Sequence, residues 1–193
     1  MKHDVHLAGY GINLKPVAIG DAAELHALTD ADMWFGMTFA WPADAESYSQ
    51  VLAHQIAAPD VIAFAVQDIV SGHLVGSTSF YDLSLPQKRV EIGSTWYRRQ
   101  SWGGIVNPAA KRLLLEHAFD TLGMYRVALR CDHRNDRSRA AILRLGATAE
   151  GTLRSHRLYA DGSRADTAYF SILQPEWPIV REGLDDRLAL MLQ

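Results

Sequence analysis

Residues 92–121, IGSTWYRRQSWGGIVNPAAKRLLLEHAFDT, decide how this chain folds. They begin as the end of a strand. From Arg89 to Tyr97 the alternation predicts Arg89, Glu91, Gly93, Thr95 and Tyr97 on one face and Val90, Ile92, Ser94 and Trp96 on the other. The loop from Arg98 to Val106 follows, and then a helix with Asn107 as its predicted N-cap and Pro108 at the first helical position, where a missing N–H costs nothing. Leu113, Leu114, Ala118 and Leu122 share the face that would turn to a core, and Gly123 is the expected left-handed stop. A helix start exposes unpaired N–H groups and the positive end of the macrodipole, so the glycine pair Gly103-Gly104 just ahead of it makes a seat for an anion, with phosphate the natural guest. The same motif also serves as a plain tight turn, and the surrounding residues have to decide between the two.

Upstream, residues 12–19 read as a strand, and Asp21 as the N-cap of a short helix through Leu28. Gly9-Tyr10-Gly11 holds a G-x-G, but it precedes a strand, which excludes a dinucleotide fingerprint. Residues 33–42, MWFGMTFAWP, are apolar and broken by Gly36 and Pro42, hence a loop; it either plugs the core or walls a substrate pocket through Trp34, Phe35, Phe39 and Trp41. Ala45 to Ala57 is a helix, with Tyr48, Val51, Leu52 and Ile56 at helical spacing. Val61 to Gln67 and Leu74 to Leu83 form a hairpin around Ser71-Gly72. Downstream, residues 126–131 are a strand, and Asn135 or Asp136 caps a helix that turns Ala141, Ile142 and Leu145 inward and closes at Gly146. Residues 148–159 and 164–173 are two strands joined at Asp161-Gly162, and Pro175 opens a helical tail over about residues 175–193. The order β-α-α-β-β-β-α-β-α-β-β implies an α/β fold whose mixed sheet carries helices on its faces, since a β-α-β step needs a parallel pair.

A chain of 193 residues suits one domain, residues 1–193. A net charge of −3 and a pI near 6.2 argue against nucleic acid and acidic membrane surfaces. No apolar run reaches the ~18 residues of a membrane span, and the first residues lack the apolar stretch of a signal peptide, so a cytoplasmic protein is expected. The single cysteine, Cys131, sits in an apolar strand pattern and reads as a buried hydrophobe. The histidines show no metal-ligand spacing and no serine sits in a G-x-S-x-G turn, so no metal and no hydrolase chemistry is predicted.

Taken together, residues 91–97, residues 100–107, residues 135–147 (NDRSRAAILRLGA) and Gly151-Thr152-Leu153-Arg154 resemble the GNAT superfamily of acetyl-CoA-dependent N-acetyltransferases. The resemblance is strongest to the branch of ribosomal-protein N-terminal acetyltransferases, and it covers most of the chain. It implies a single GNAT-like domain with a central, mostly antiparallel sheet and one parallel, splayed strand pair. Gln100 and Gly103 match the family's Gln/Arg-x-x-Gly-x-Gly/Ala loop. Ile105 departs from it, and Gly104 is expected to supply the flexibility that a β-branched residue lacks. The resemblance further implies that acetyl-CoA is held by Trp96, Tyr97, Gln100, Trp102, Gly103, Gly104, Ile105, Val106, Asn107, Asn135 and Ser138, with Arg98 and Arg99 adding charge near the phosphates.

The matching serine, Ser138, would stand near the thiol and donate to the departing thiolate. Glu91 is the candidate base, on a strand face toward the cleft, although Lys88 and Arg89 beside it also suit an ordinary ion pair. The implied activity is transfer of acetyl to a primary amine of a protein, peptide or small molecule by direct attack, since Cys131 inside a strand is no nucleophile. The rival is a non-catalytic acyl-CoA-binding sensor. Leu188, Leu190, Met191 and Leu192 are candidates for a homodimer contact.

Overall fold

The computed structural model describes residues 2–37 and 39–193. Its strands are β1 (Leu7–Gly9), β2 (Ile12–Pro16), β3 (Ile62–Asp68), β4 (Leu74–Ser84), β5 (Arg89–Tyr97), β6 (Arg126–Asp132), β7 (Thr148–Leu158) and β8 (Arg164–Leu173). The helices are α1 (Ala22–Ala27), α2 (Ala45–Ala57), α3 (Val106–Glu116), α4 (Asp136–Leu143) and α5 (Trp177–Met191). One sheet takes all eight strands in the order β1-β2-β3-β4-β5-β6-β8-β7. Among the described residues only β5 and β6 pair in parallel, across the α3 crossover.

Buried on both faces, β3 shows how the layers divide. Ile62, Phe64 and Val66 join the core under α3, α4 and α5, while Ala63 and Ala65 join a second core under α1 and α2, which also holds Leu25, Trp34, Tyr48 and Leu52. Asp44 starts α2 by accepting the Ser47 N–H at 2.8 Å.

Several local expectations shift. The strand expected over residues 12–19 stops at Pro16, whose ring nitrogen cannot donate to a ladder. Its partner β1 is too short to show a period in sequence; Tyr10 (φ 54°) and Gly11 (φ 80°) make the two-residue turn between them, which is what the G-x-G does here. Asp21 holds the N-cap position of α1 as expected, but its side chain makes no cap hydrogen bond. Its carboxylate accepts the Ala18 N–H at 2.9 Å and grips Lys15 at 2.7 Å, closing the 3-10 turn Ile19–Asp21.

The helix α3 begins at Val106, with Ile105 rather than Asn107 in the cap position, so Pro108 is the third helical residue. The proline is still harmless there, because no N–H in the first turn has a helical partner. Gly103 (φ 74°), not Gly104, takes the left-handed conformation, which leaves Ile105 at an ordinary φ of −69°. Gly123 (φ 64°) ends the segment as expected. The C-terminal segment is no tail: Trp177 stacks on Phe119 at 5.4 Å, Asp185 pairs with Arg112 at 2.7 Å, and Leu188 is fully buried. Of the proposed contact residues, only Leu190, Met191 and Leu192 remain on the surface.

Candidate active site

The site opens where β5 and β6 part. Their pairing runs only from Arg89↔Arg126 to Glu91↔Ala128, and beyond it residues 92–97 and 129–132 diverge. A bulge accompanies the divergence. Ser79 pairs with Gly93 and Ser77 with Trp96, so Ser94 and Thr95 together face Thr78, with Ser94 at φ 47°. A bulge sharpens the twist of its strand and resets the alternation. This overturns the predicted side shared by Glu91 and Tyr97: Tyr97 packs with Val90 and Ile92 under α3, and Trp96 packs on the opposite face with Trp34 and Tyr48.

A cavity of about 270 Å³ fills the gap. On the α3 side it is lined by Trp102, Gly103, Gly104 and Asn107. The backbone N–H groups of Gly103, Ile105, Val106 and Asn107 carry no hydrogen bond among the described residues. Nothing crowds Gly103: a Cβ built there meets no atom within 4 Å. Trp102 anchors the loop by donating its indole N–H to the Tyr97 carbonyl at 2.7 Å. The Arg137 guanidinium, from the first turn of α4, lies 3.6 Å above its ring centroid. Arg98 and Arg99, the cations expected beside an anion, do not line the cavity; Arg99 is held by Asp30 at 2.7 Å and Arg98 reaches the Ser101 hydroxyl at 3.3 Å. Gln100, Ile105 and Val106 do not line the cavity either, whereas Trp96 and Tyr97 do. The Tyr97 hydroxyl is buried and has no hydrogen-bond partner among the described residues.

On the α4 side, Asn135 caps the helix by accepting the Ser138 N–H at 3.0 Å, and both side chains line the cavity. The cap role uses only Asn135 Oδ1. Its amide nitrogen is left beside Gly36, where a Cβ would lie 3.6 Å from it. Cys131 also faces the cavity; burial pushes its thiol pKa up and the neighbouring Ser138 hydroxyl opposes the shift, so a thiolate is disfavoured at neutral pH.

Glu91 does not reach the cavity. It is buried, accepts the Tyr81 hydroxyl at 2.6 Å, and pairs with Arg130 at 2.8 Å. Tyr81 and Arg130 are the groups that line the wall. Burial and the Glu91 charge push the Tyr81 phenol above its usual range, so it stays a neutral donor. Asp132 also lines the cavity with its side chain fully buried. Burial alone would raise its pKa, but hydrogen bonds from Arg134 and Tyr159 outweigh this and hold it at about 2.

The apolar stretch divides. Asp30 accepts the Met33 N–H at 3.0 Å and starts the 3-10 turn Ala31–Trp34, a cap missed in the sequence. Trp34 plugs the second core, with Phe39 edge-on to it at 5.6 Å, and Trp41 stacks on His26 at 5.5 Å. Of the four aromatics expected in a pocket wall, only Phe35 faces the cavity, joined by Met33, Gly36 and Met37. Thr38, in the same stretch, lies outside the described residues.

Sequence reading also missed Lys111. It stands four residues before Leu115 and seven before Ala118, so its position falls on the inward stripe of α3, and a charge in such a stripe was the available signal. The lysine is buried, lines the cavity, and donates to the Thr95 hydroxyl at 2.8 Å. Burial pushes its ammonium pKa down to about 7. Among the described residues, Lys111, Arg130, Arg137, Arg144, Arg157 and Arg187 face the cavity against one carboxylate, Asp132, in a chain whose net charge is −3. Positive charge is therefore concentrated at the gap.

A GNAT acetyltransferase domain model matches residues 12–148. The Bacillus subtilis protein named "Putative ribosomal N-acetyltransferase YdaF" is 35% identical over 109 residues, which make up 56% of this chain and 58% of that relative. Among solved structures, a GCN5-related N-acetyltransferase from Brucella melitensis superposes with a TM-score of 0.90 at 26% identity, over 97% of this chain and 86% of that one. A "putative acetyltransferase" from T. thermophilus gives 0.89 at 29% identity, over 97% and 99%. The chain belongs to the GNAT acetyltransferase family.

Proposed function

From that membership, we propose that this N-acetyltransferase takes acetyl from acetyl-CoA and passes it by direct attack to a primary amine, foremost the α-amine of a protein, a peptide or an amino-acid-like molecule. The observation that carries the cofactor reading is the convergence of unpaired N–H groups at the start of α3 with Arg137, Arg144 and Arg187 on one cavity of an acidic chain. Backbone N–H groups at a helix start suit the diphosphate, and the guanidiniums suit the remaining anionic groups. The thioester arm would lie between the diverging strands, where the Asn135 amide nitrogen is left free by the cap and can meet it.

Ser138 stands beside that arm as donor to the departing thiolate. Glu91 acts at one remove, fixing Tyr81 and Arg130 in the wall. Placing amine and thioester together supplies much of the rate enhancement, and wall donors can stabilise the oxyanion. The similarity to a protein named for ribosomal N-acetylation supports a protein N-terminus as acceptor and the cytoplasm as the place of action. Leu190, Met191 and Leu192 mark where a second copy would pack in a homodimer.

Amine acidity narrows the acceptor. An α-amine with pKa 7.7–8.0 is roughly a tenth neutral at pH 7, whereas a lysine amine near 10.4 is neutral in well under a thousandth of molecules. Turnover of peptides with free N-termini is expected to exceed that of N-terminally blocked, lysine-containing counterparts at pH 7, with the gap narrowing at pH 9. Release of free CoA with each class reads the result. Faster turnover of the blocked peptides at pH 7 would overturn the α-amine reading, and CoA release with neither class would leave only cofactor binding.

A further inference from the structure

The attacking amine must give up a proton as it forms the amide, and the carboxylates near the gap are already engaged. Glu91 is tied to Arg130 and Tyr81 behind the wall, and Asp132 to Arg134 and Tyr159. Among the described residues lining the cavity, Lys111 alone is a buried titratable cation that pairs with no carboxylate. Its Nζ lies 2.8 Å from Thr95 Oγ1 and 3.4 Å from Thr78 Oγ1, and those two hydroxyls are 2.8 Å apart across the bulge. Thr95 itself lines the cavity. Lys111 thus sits behind the point where β5 turns from β4 toward the gap, joined to it by one hydroxyl.

We propose that Lys111, acting through the Thr95 hydroxyl, accepts the proton that the acceptor amine loses. This rests on the acetyl-transfer reading above. As the amine nitrogen bonds to the thioester carbon, its proton passes to Thr95 Oγ1 while the Thr95 proton passes to Lys111 Nζ; the C–S bond breaks, and its electron pair leaves with sulfur. Lys111 then returns its proton to solvent between turnovers. A hydroxyl is suited to this relay because it donates and accepts at once, and the Nζ–Oγ1 spacing serves either direction of transfer.

The environment supports a neutral amine. Around Lys111, β4 presents Thr78 and β5 presents Thr95, while its own helix carries Arg112, which is turned to Asp185 and Glu116. The other charged groups facing the cavity are Arg130 and Asp132 from β6, Arg137 and Arg144 from and just after α4, Arg157 from β7 and Arg187 from α5. Burial itself is what disfavours a charge on Lys111.

The test compares Lys111→Met and Lys111→Arg with the wild type, using a peptide with a free N-terminus. Acetyl-CoA affinity by calorimetry and the melting temperature establish that each variant is folded and loaded; loss of binding in the wild type itself would instead defeat the acetyl-transfer reading. The readout is the ratio of wild-type to variant kcat/KM between pH 5.5 and 9, in which the acceptor's own titration cancels. The ratio is expected to climb through about pH 7 to a plateau of about tenfold to a hundredfold, at or below the lower end of the 10²–10⁴ typical of general bases. A ratio that stays flat with pH would mean that Lys111 only braces the bulge, and would overturn the proposal. Should neither variant fold, nitrogen NMR of the wild type decides. The lysines are only Lys2, Lys15, Lys88 and Lys111, and a Lys111 amine that remains charged up to pH 9 would equally overturn it.

Discussion

At the mouth of the gap, the start of α3 offers backbone N–H groups placed by one contiguous stretch, residues 102–107; at its floor, Tyr81 from β4 and Arg130 from β6 hold each other, Lys111 from α3 is held by Thr95, and Asp132 from β6 by Arg134 and Tyr159. The first wall needs a glycine conformation and a helix, both local properties. The second needs strand register, a bulge and a crossover before any of its hydrogen bonds can exist. The lesson is that a site for a common anionic handle can be written in a short motif, while the groups around the reacting atoms are assembled by the whole sheet.

The comparison breaks most readily at Gly103. Valine there must adopt a φ of 74°, which a β-branched residue resists, so the loop should relax and withdraw its N–H groups. Losing two charge-assisted hydrogen bonds at about 1.5–3 kcal/mol each predicts acetyl-CoA affinity weaker by about a hundredfold or more. Calorimetry on a variant that melts within a few degrees of the wild type checks this. Gly104→Ala should bind nearly normally, since its φ is not left-handed and its Cβ would rest 3.4 Å from the Ser101 carbonyl. Unchanged affinity in Gly103→Val would remove the backbone wall from the account.

The side-chain wall should instead respond to acid. Asp132 is held at about pKa 2 when folded, against about 3.9 unfolded. A depressed folded pKa gives stability that is fully present above about pH 4 and is lost as pH falls through about 2. The contribution is about 2 kcal/mol, so the melting temperature of the wild type should fall more steeply between pH 4 and 2.5 than that of Asp132→Asn. Parallel curves would show that the Arg134 and Tyr159 contacts do not favour the ionised form. The α3 start has no titratable group of its own and should contribute nothing to this slope.

A smaller effect falls where the walls meet. Ser138→Ala is expected to lower kcat about tenfold with little change in the acetyl-CoA dissociation constant, because a thiol of pKa about 8.5 leaves tolerably well without help. Turnover equal to that of the wild type would leave Ser138 with only its backbone N–H, which Asn135 already uses.

Sequence by itself determined the helices, most of the strands, the glycine loop ahead of α3 and the Asn135 cap, because each depends on side-chain period, a φ preference or a hydrogen bond between residues a few positions apart. Trp102, Gly103, Gly104, Asn107, Asn135 and Ser138 were legible for that reason, and all face the cavity. Only the tertiary structure decided the floor. The single extra residue at Ser94–Thr95 moved Tyr97 to the face opposite the one expected and brought Thr95 to Lys111, and no pattern within β5 announces a bulge that is defined by its pairing with β4. The parting of β5 from β6 left Glu91 at the last paired position, inside the sheet and next to Arg130, while Trp34 and Trp41 found their partners in α2 and α1 instead of a ligand. Charge and apolar character can be read along a chain; which of them meets a cavity is fixed by the long-range packing that makes the cavity.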